Sequence, residues 1–283
     1  VRAGNFAFGA HLLRIIYKFK KTMKRLNGIL FLFLTINIYG QTDSKSLEWT
    51  NQISGGENLS RKNRKNSVIK YDFAPLWTET DNSAVFGFIG PNLRRIRLKI
   101  ISAVKEKKKP DTYAVSGKSM IRNNVCSFSG TIKITKARTY NKMHFGVDDE
   151  YKNKGIKKQG LIIAQYRFSE NKACIFSGVF EGHLLTFWYI DKNGKLKYDD
   201  IEKESDSYGN NQFVGIWKSY RGEIVKISNW GDYRIPLSGE LDIGAGEFSP
   251  NEKYLPFGWQ TYRDAYFNNN EQARQEEERR WWQ

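Results

Sequence analysis

The chain has 283 residues with 46 Lys plus Arg against 30 Asp plus Glu, a formal charge of +16, and a mean hydropathy of −0.62 at 40% hydrophobic content. These values exclude a bundle of membrane-spanning helices, and 14% aromatic residues exclude wholesale disorder, because so many rings supply the apolar area that offsets chain entropy. Seven of the cations fall in the first 41 residues, which contain no acid, so the other 242 residues carry 39 cations against 30 acids, a basic but moderate balance.

Met23-Lys24-Arg25 and the run of nine from Gly28 to Ile36 predict a secretory signal peptide over 23–40, cut after Gly40. The run is shorter than the roughly 20 apolar residues a spanning helix needs, so the mature chain is expected to have no transmembrane helix. Gln41 would lead it, where a lipid anchor would require Cys. Residues 1–22 read as an over-extended start or a basic arm, whose Leu12, Leu13, Ile15, Ile16 and Phe19 suit a cationic amphipathic helix. The expected destination is export, to the periplasm, the cell surface or the medium.

Residues 41–66 are polar, with Arg61, Lys62, Arg64 and Lys65 clustered, and read as a linker or loosely packed arm. Period-2 patterning follows. Strands are expected at 68–73, 84–89, 113–121, 124–135, 160–168, 173–181, 183–190, 195–199, 212–220 and 224–230. A further strand is expected where Ile96, Leu98, Ile100 and Val104 alternate with Arg95, Arg97 and Lys99, giving it a charged outer face. Asn193-Gly194 between two β-prone runs predicts a hairpin, Asn-Gly suiting positive φ at both positions. Lys105 to Asp111 reads as an exposed turn and 141–159 as a longer polar loop. Residues 67–268 are therefore expected to form one all-β domain, mainly antiparallel, a barrel or sandwich. Residues 269–283 form a charged helix capped by Asn270, with Glu276 and Arg280 at i, i+4 and Trp281-Trp282 at its close.

Cys126-Ser-Phe-Ser-Gly130 and Cys174-Ile-Phe-Ser-Gly178 share a pattern that places each cysteine on the inward face of a strand, beside Phe128 and Phe176. An even pair in an exported chain suits a Cys126–Cys174 disulfide, two separate buried thiols being the alternative. Two cysteines cannot build a metal site unaided, and His144 and His183 show no ligand spacing, so no metal and no cofactor are expected. The acidic stretch Asp199, Asp200, Glu202, Glu204 and Asp206 reads as a solvated connection.

The segment 210–236 carries Trp217, Tyr220, Trp230, Asp232, Tyr233 and Arg234, the mix expected where rings stack on a ligand and a few polar groups orient it. The alternative is that the Trp residues are core and Arg234 pairs with a nearby carboxylate. Leu241-Asp242-Ile-Gly-Ala-Gly246-Glu247-Phe248 is similar to the nucleotide-binding turn of Rossmann-like methyltransferases. Phe248 nevertheless replaces the third Gly, and only 35 residues follow, so a Gly-rich turn between late strands is expected. Asp232, Asp242 and Glu247 are the candidate acid and base of a glycan hydrolase.

Gly87-Phe-Ile-Gly90, Tyr113-Ala-Val-Ser-Gly-Lys118, Cys126 to Gly130, Phe213-Val-Gly-Ile-Trp217, Asn229 to Pro236 and Leu241 to Phe248 together resemble a group of exported β-rich proteins of Bacteroidota, over about residues 84–262. That group has no assigned activity and offers no catalytic residues. The Gly-x-Trp within 213–217 also resembles that of lipocalins, where it lies near the N-terminus, which implies likeness of architecture alone. The expected function is an exported, non-enzymatic β module that binds a small molecule, a glycan or an envelope protein. A carboxylate-based glycan hydrolase is the alternative, and a basic nucleic-acid or anionic-surface binder the second. No nucleic-acid-reading motif is present.

Overall fold

The computed structural model describes residues 45–283. The expected signal peptide, the arm 1–22 and residues 41–44 lie outside the described residues.

Ten strands form one antiparallel sheet: β1 (Val85–Ile89), β2 (Arg94–Arg95), β3 (Arg97–Lys105), β4 (Thr112–Ile121), β5 (Asn124–Thr139), β6 (Lys158–Glu170), β7 (Gly178–Ile190), β8 (Leu196–Tyr198), β9 (Asn210–Ser219) and β10 (Val225–Asp232). Neighbours run β2-β1-β10-β9-β7-β6-β5-β4-β3, with β8 on the remaining edge of β7. Only Ile96 separates β2 from β3, and its N–H donates to the Gly87 carbonyl (3.0 Å). One bent run, 94–105, thus pairs with β1 at its start and with β4 along its length. Both ends of the sheet are this same run, so the sheet curls round as the barrel of the two expected alternatives.

Inward rows fill the barrel with large side chains. Phe128, Ile132, Tyr166, Phe168, Phe180, Trp188, Phe213 and Trp230 are all buried, with Phe213 stacked on Trp230 at 4.5 Å and Phe128 on Phe168 at 4.9 Å. Such rings would clash unless some strand positions were bare. Gly117 is one, since a Cβ there would lie 2.5 Å from Cζ of the Phe128 ring.

Bulges change which residues face in. Ile101 is an extra residue in β3 opposite β4, so the alternation that points Leu98 and Ile100 inward is reversed beyond it. Val104, expected on the inward row, is 62% exposed for that reason.

One mouth is closed by α2 (Lys65–Val68) and α3 (Ala74–Thr78), the latter started by Pro75. Residues 68–73 are therefore not a strand: Val68 and Phe73 reach the core from a helical turn and the bend after it. Trp77 enters the barrel, edge-on to Tyr113 at 4.9 Å.

The outer face has two covers. The helix 45–54, α1, lays Trp49 and Ile53 over Leu161, Ile163, Leu185 and Val214, so this part of the supposed linker is packed rather than loose. On the far side, α4 (Gln260–Tyr266) and the loop before it bring Leu241, Phe248, Trp259 and Tyr262 onto Phe86 and Phe88 of β1. Asn270 caps α5 (Glu271–Glu278), its Oδ1 accepting from Ala273 N (2.9 Å). The helix is not wholly solvated, because Glu277 is buried and pairs with Arg95 (2.5 Å) and Arg97 (2.8 Å). Glu276 pairs with Arg279 rather than Arg280.

The β7–β8 hairpin forms where expected, with a different turn. Ile190 faces Leu196, Asp191 N donates to Lys195 O, and the loop is Lys192-Asn193-Gly194 with positive φ (78°) at Gly194 alone of the Asn-Gly pair. This is the three-residue loop with a left-handed Gly.

Cys126 and Cys174 stand at bonding distance, their Cα atoms 6.0 Å apart. Cys126 is buried on β5 as expected, but Cys174 lies in the turn before β7, and Ile175 and Phe176 beside it face water. Asn171 breaks the expected strand 173–181 by accepting from Ala173 N (3.0 Å), and Phe176 has φ 58°.

Candidate functional site

β9 and β10 fall out of register where they approach the mouth that α3 closes. Trp230 faces Phe213 and Asp232 faces Asn210, so Asn211 and Gln212 are opposed by Gly231 alone. This bulge puts Asn211 in the left-handed region (φ 43°) and aims its amide inward. Tyr233, just past β10, is also left-handed (φ 65°). Backbone strain of this kind persists only where the surroundings fix it, and it gathers at sites that use a chosen side-chain direction.

The aimed groups form one chain of hydrogen bonds. Trp77 Nε1 donates to Thr186 Oγ1 (3.0 Å), Thr186 donates to Asn211 Oδ1 (2.9 Å), and Asn211 Nδ2 donates to Leu76 O and Asp232 Oδ2 (both 2.7 Å). The Tyr198 hydroxyl donates to the same Oδ2 (2.9 Å). Asp232 is 5% exposed. Burial pushes its carboxyl up to about 7, against the opposing pull of the Tyr198 and Asn211 hydrogen bonds and the charge of Lys99. Lys99 is itself held by the carbonyls of Thr78 (3.0 Å) and Thr80 (3.2 Å).

A cleft of about 480 Å³ opens over this carboxylate, between the end of α3 and β8. Its walls carry Glu79, Asp81 and Asp200 with Lys195, Lys197 and Lys203, and Tyr198 and Tyr233 supply rings. The size suits a small molecule, and the lining offers donors and acceptors of both charges around a fixed acid.

The six residues expected to bind ligand do not stand together. Asp232 and Tyr233 line this cleft. Trp230 is buried in the barrel. Arg234 turns away to pair with Asp242 (3.3 Å) and to donate to Gly244 O (2.8 Å), the pairing with a nearby carboxylate that was the alternative to ligand binding. Trp217 lies six residue pairs along β10 from Asp232, about 20 Å at 3.3 Å per residue, and its Nε1 donates to Glu170 Oε2 (2.8 Å) at the other mouth. Tyr220, beside it, donates to Glu170 O.

Of the three candidate carboxylates only Asp232 faces the cleft. Asp242 accepts from Gly244 N and Ser249 N (both 3.1 Å) and so organises the Gly-rich loop, while Glu247 points to solvent. That loop links β10 to the C-terminal helices rather than two late strands. Tyr198, Thr186 and Trp77 carry no functional signal in the sequence, and Asn211 gives only a faint one as part of Asn210-Asn211-Gln212.

The histidines are engaged elsewhere. His183 Nδ1 and the Ser46 hydroxyl of α1 share a hydrogen bond (2.8 Å) beneath the helix. His144 Nδ1 bonds Glu202 (2.9 Å), and its Nε2 lies 4.0 Å from Asp199. Asp199, expected in a solvated stretch, is 4% exposed, and burial pushes its carboxyl up to about 6 although His144 pulls the other way. Among the described residues no group of three or more His, Cys, Asp or Glu side chains is placed to hold a metal ion. No helix among them is long and apolar enough to cross a membrane. No family model, curated protein or solved structure matches the chain, so no residue role is inherited from a relative.

Proposed function

We propose that this chain is an exported, non-enzymatic binding module whose cleft between α3 and β8 takes a small hydroxyl-rich ligand of glycan type. The observation that carries the reading is Asp232: a buried carboxylate oriented by Tyr198 and Asn211 at the floor of an open cleft with Tyr233 at its side. Fixed acceptors beside aromatic rings satisfy the alternating hydroxyl and C–H faces of a sugar. The Cys126–Cys174 pair fits an oxidising compartment, which favours export.

One feature favours the hydrolase as a second reading. A carboxyl pushed up to about 7 can hold a proton for a leaving group near neutral pH, and Glu79, Asp81 and Asp200 line the same cleft as partners. Titration calorimetry with neutral, N-acetylated and acidic oligosaccharides tests the module, together with an assay for released reducing ends. Saturable binding that weakens roughly tenfold or more in Tyr198→Phe, without turnover, is expected. Turnover by the parent that Asp232→Asn abolishes would establish the hydrolase instead, and a panel that binds nowhere would remove the glycan reading.

A further inference from the structure

The mouth opposite the cleft is built from four connections: 90–94, 121–124, 171–177 and 219–225. Within them Arg94, Arg122, Lys172 and Arg221 stand against the single acid Glu223. None of the four cations forms an ion pair with another described residue. Arg94 and Arg122 lie close enough for one to lower the other's proton affinity, burial being the larger cause. Arg94 lies over the Phe257 ring (5.4 Å) and Lys172 over the Tyr220 ring (5.2 Å), contacts that leave their charge in place, and like charges gathered without ion-pair partners on a folded surface point to an anionic counterpart outside the chain.

Apolar side chains project from the same loops. Phe176 is 85% and Ile175 70% exposed, with Ile224 at 47% and Val125 at 39% nearby in the same mouth. The tip is not loose. Cys174 bonds Cys126, Asn124 Nδ2 donates to Ile175 O (3.0 Å), Cys174 N donates to Asn171 O (3.0 Å), and Phe176 is held at φ 58°. Ile175 and Phe176 form part of the rim of a groove that Trp217, Ile89 and Ile121 also line, and both remain largely in water there, with the disulfide at the neighbouring Cys174. Isolated exposed apolar residues are ordinary, but a tethered pair beside cations that lack ion-pair partners is the pattern of a surface that meets lipid, the apolar side chains entering the acyl boundary and the cations the headgroups.

We propose that the 171–177 tip docks this protein on an anionic bilayer surface, Ile175 and Phe176 inserting and Arg94, Arg122, Lys172 and Arg221 contacting acidic headgroups. The site is distinct from the Asp232 cleft and does not depend on what the cleft binds. Docking by the tip leaves the cleft, at the far end of the strands, open to the aqueous side.

Sedimentation of the full chain with phosphatidylcholine vesicles, with and without phosphatidylglycerol, tests it. The parent should bind the anionic vesicles and be released by high salt. Ile175→Ser with Phe176→Ser should bind roughly tenfold more weakly, and Arg122→Glu should lose the preference for phosphatidylglycerol. Leu237→Ser with Ile243→Ser, which removes two exposed apolar residues away from this mouth, should bind as the parent does. Undiminished binding by the tip variant would assign vesicle binding to another segment and overturn the proposal, as would a parent that ignores anionic vesicles. A concentration-dependent dimer lost in the tip variant, with vesicle binding unchanged, would make a second copy the occupant and overturn it equally.

Discussion

At the mouth that α3 closes, a carboxylate, an amide, a threonine hydroxyl and an indole N–H are buried in one connected row, whereas at the opposite mouth an isoleucine and a phenylalanine stand in water. Each mouth holds a side-chain type where burial alone would not put it. The polar mouth does so by linking the four groups through hydrogen bonds, and the cost of desolvating Asp232 is only partly offset there. The apolar mouth does so with a disulfide. The first device fails in graded fashion as single bonds are removed, and the second fails all at once, which gives the two ends different mutational signatures.

The largest effect is expected at Trp77. Truncation to Ala empties the mouth of its plug and leaves the Thr186 hydroxyl without its donor, so about 5 kcal/mol of stability should be lost. Urea unfolding measures it. If the loss is below about 1 kcal/mol, α3 is not the element that holds the polar mouth together.

Replacing Cys126 and Cys174 together by Ser should cost about 4 kcal/mol, from the loop entropy of a separation of 48 residues. Oligosaccharide binding at the Asp232 cleft should survive in the fraction that stays folded. Loss of that binding in proportion beyond unfolding would show that the two mouths are coupled, and the contrast between them would fail.

Asp232 sharpens the comparison through pH. Its ordinary value is 3.8 and its native value about 7, so between the two the native state keeps a proton that the unfolded chain has released. Stability therefore falls as pH rises through that window and levels off above it. Asp199, raised from 3.8 to about 6, contributes the same sign over a narrower range. Asp232→Asn removes the first contribution while keeping an oxygen acceptor for Tyr198 and Asn211. Relative to the parent, this variant should gain on the order of 2–3 kcal/mol between about pH 5 and about pH 7. Paired denaturation curves at the two pH values check it, and parallel behaviour of parent and variant would mean that Asp232 is ionised throughout.

The barrel itself was legible because its strands obey period-2 alternation, which a reader can see without knowing what packs where. Cys126, Phe128 and Ile132 alternate and are buried, and β4, β5, β9 and β10 begin and end within a few residues of expectation. The misses have local causes. The second Cys-x-Phe-Ser-Gly copy has the same letters, but Asn171 turns the chain, so that Phe176 ends outside. Helix α4 has too little charge patterning to announce itself, its buried face being Tyr262 and Ala265, with Tyr262 packed both on nearby Phe248 and on Phe86, far earlier in the chain. The candidate site was half visible. Asp232 and Tyr233 were found among aromatic neighbours, yet the bulge that aims Asn211 depends on a register between two strands, and Tyr198 reaches Asp232 from a strand 34 residues away. Periodicity carries no information about either.

The smallest effect is the most pointed. Phe176→Ser should change stability by no more than about 0.5 kcal/mol, because the ring is 85% exposed and its backbone is fixed by Cys174 and Asn124 rather than by packing. A phenylalanine packed in a core costs several kcal/mol to remove. A near-zero change here, measured by urea unfolding, would mean that the apolar tip contributes nothing to holding the fold and is maintained for contact with something else. A loss above about 2 kcal/mol would instead mean that the ring packs down onto Trp217 in the groove it rims, reduce the exposed apolar surface to ordinary core, and make the two mouths alike.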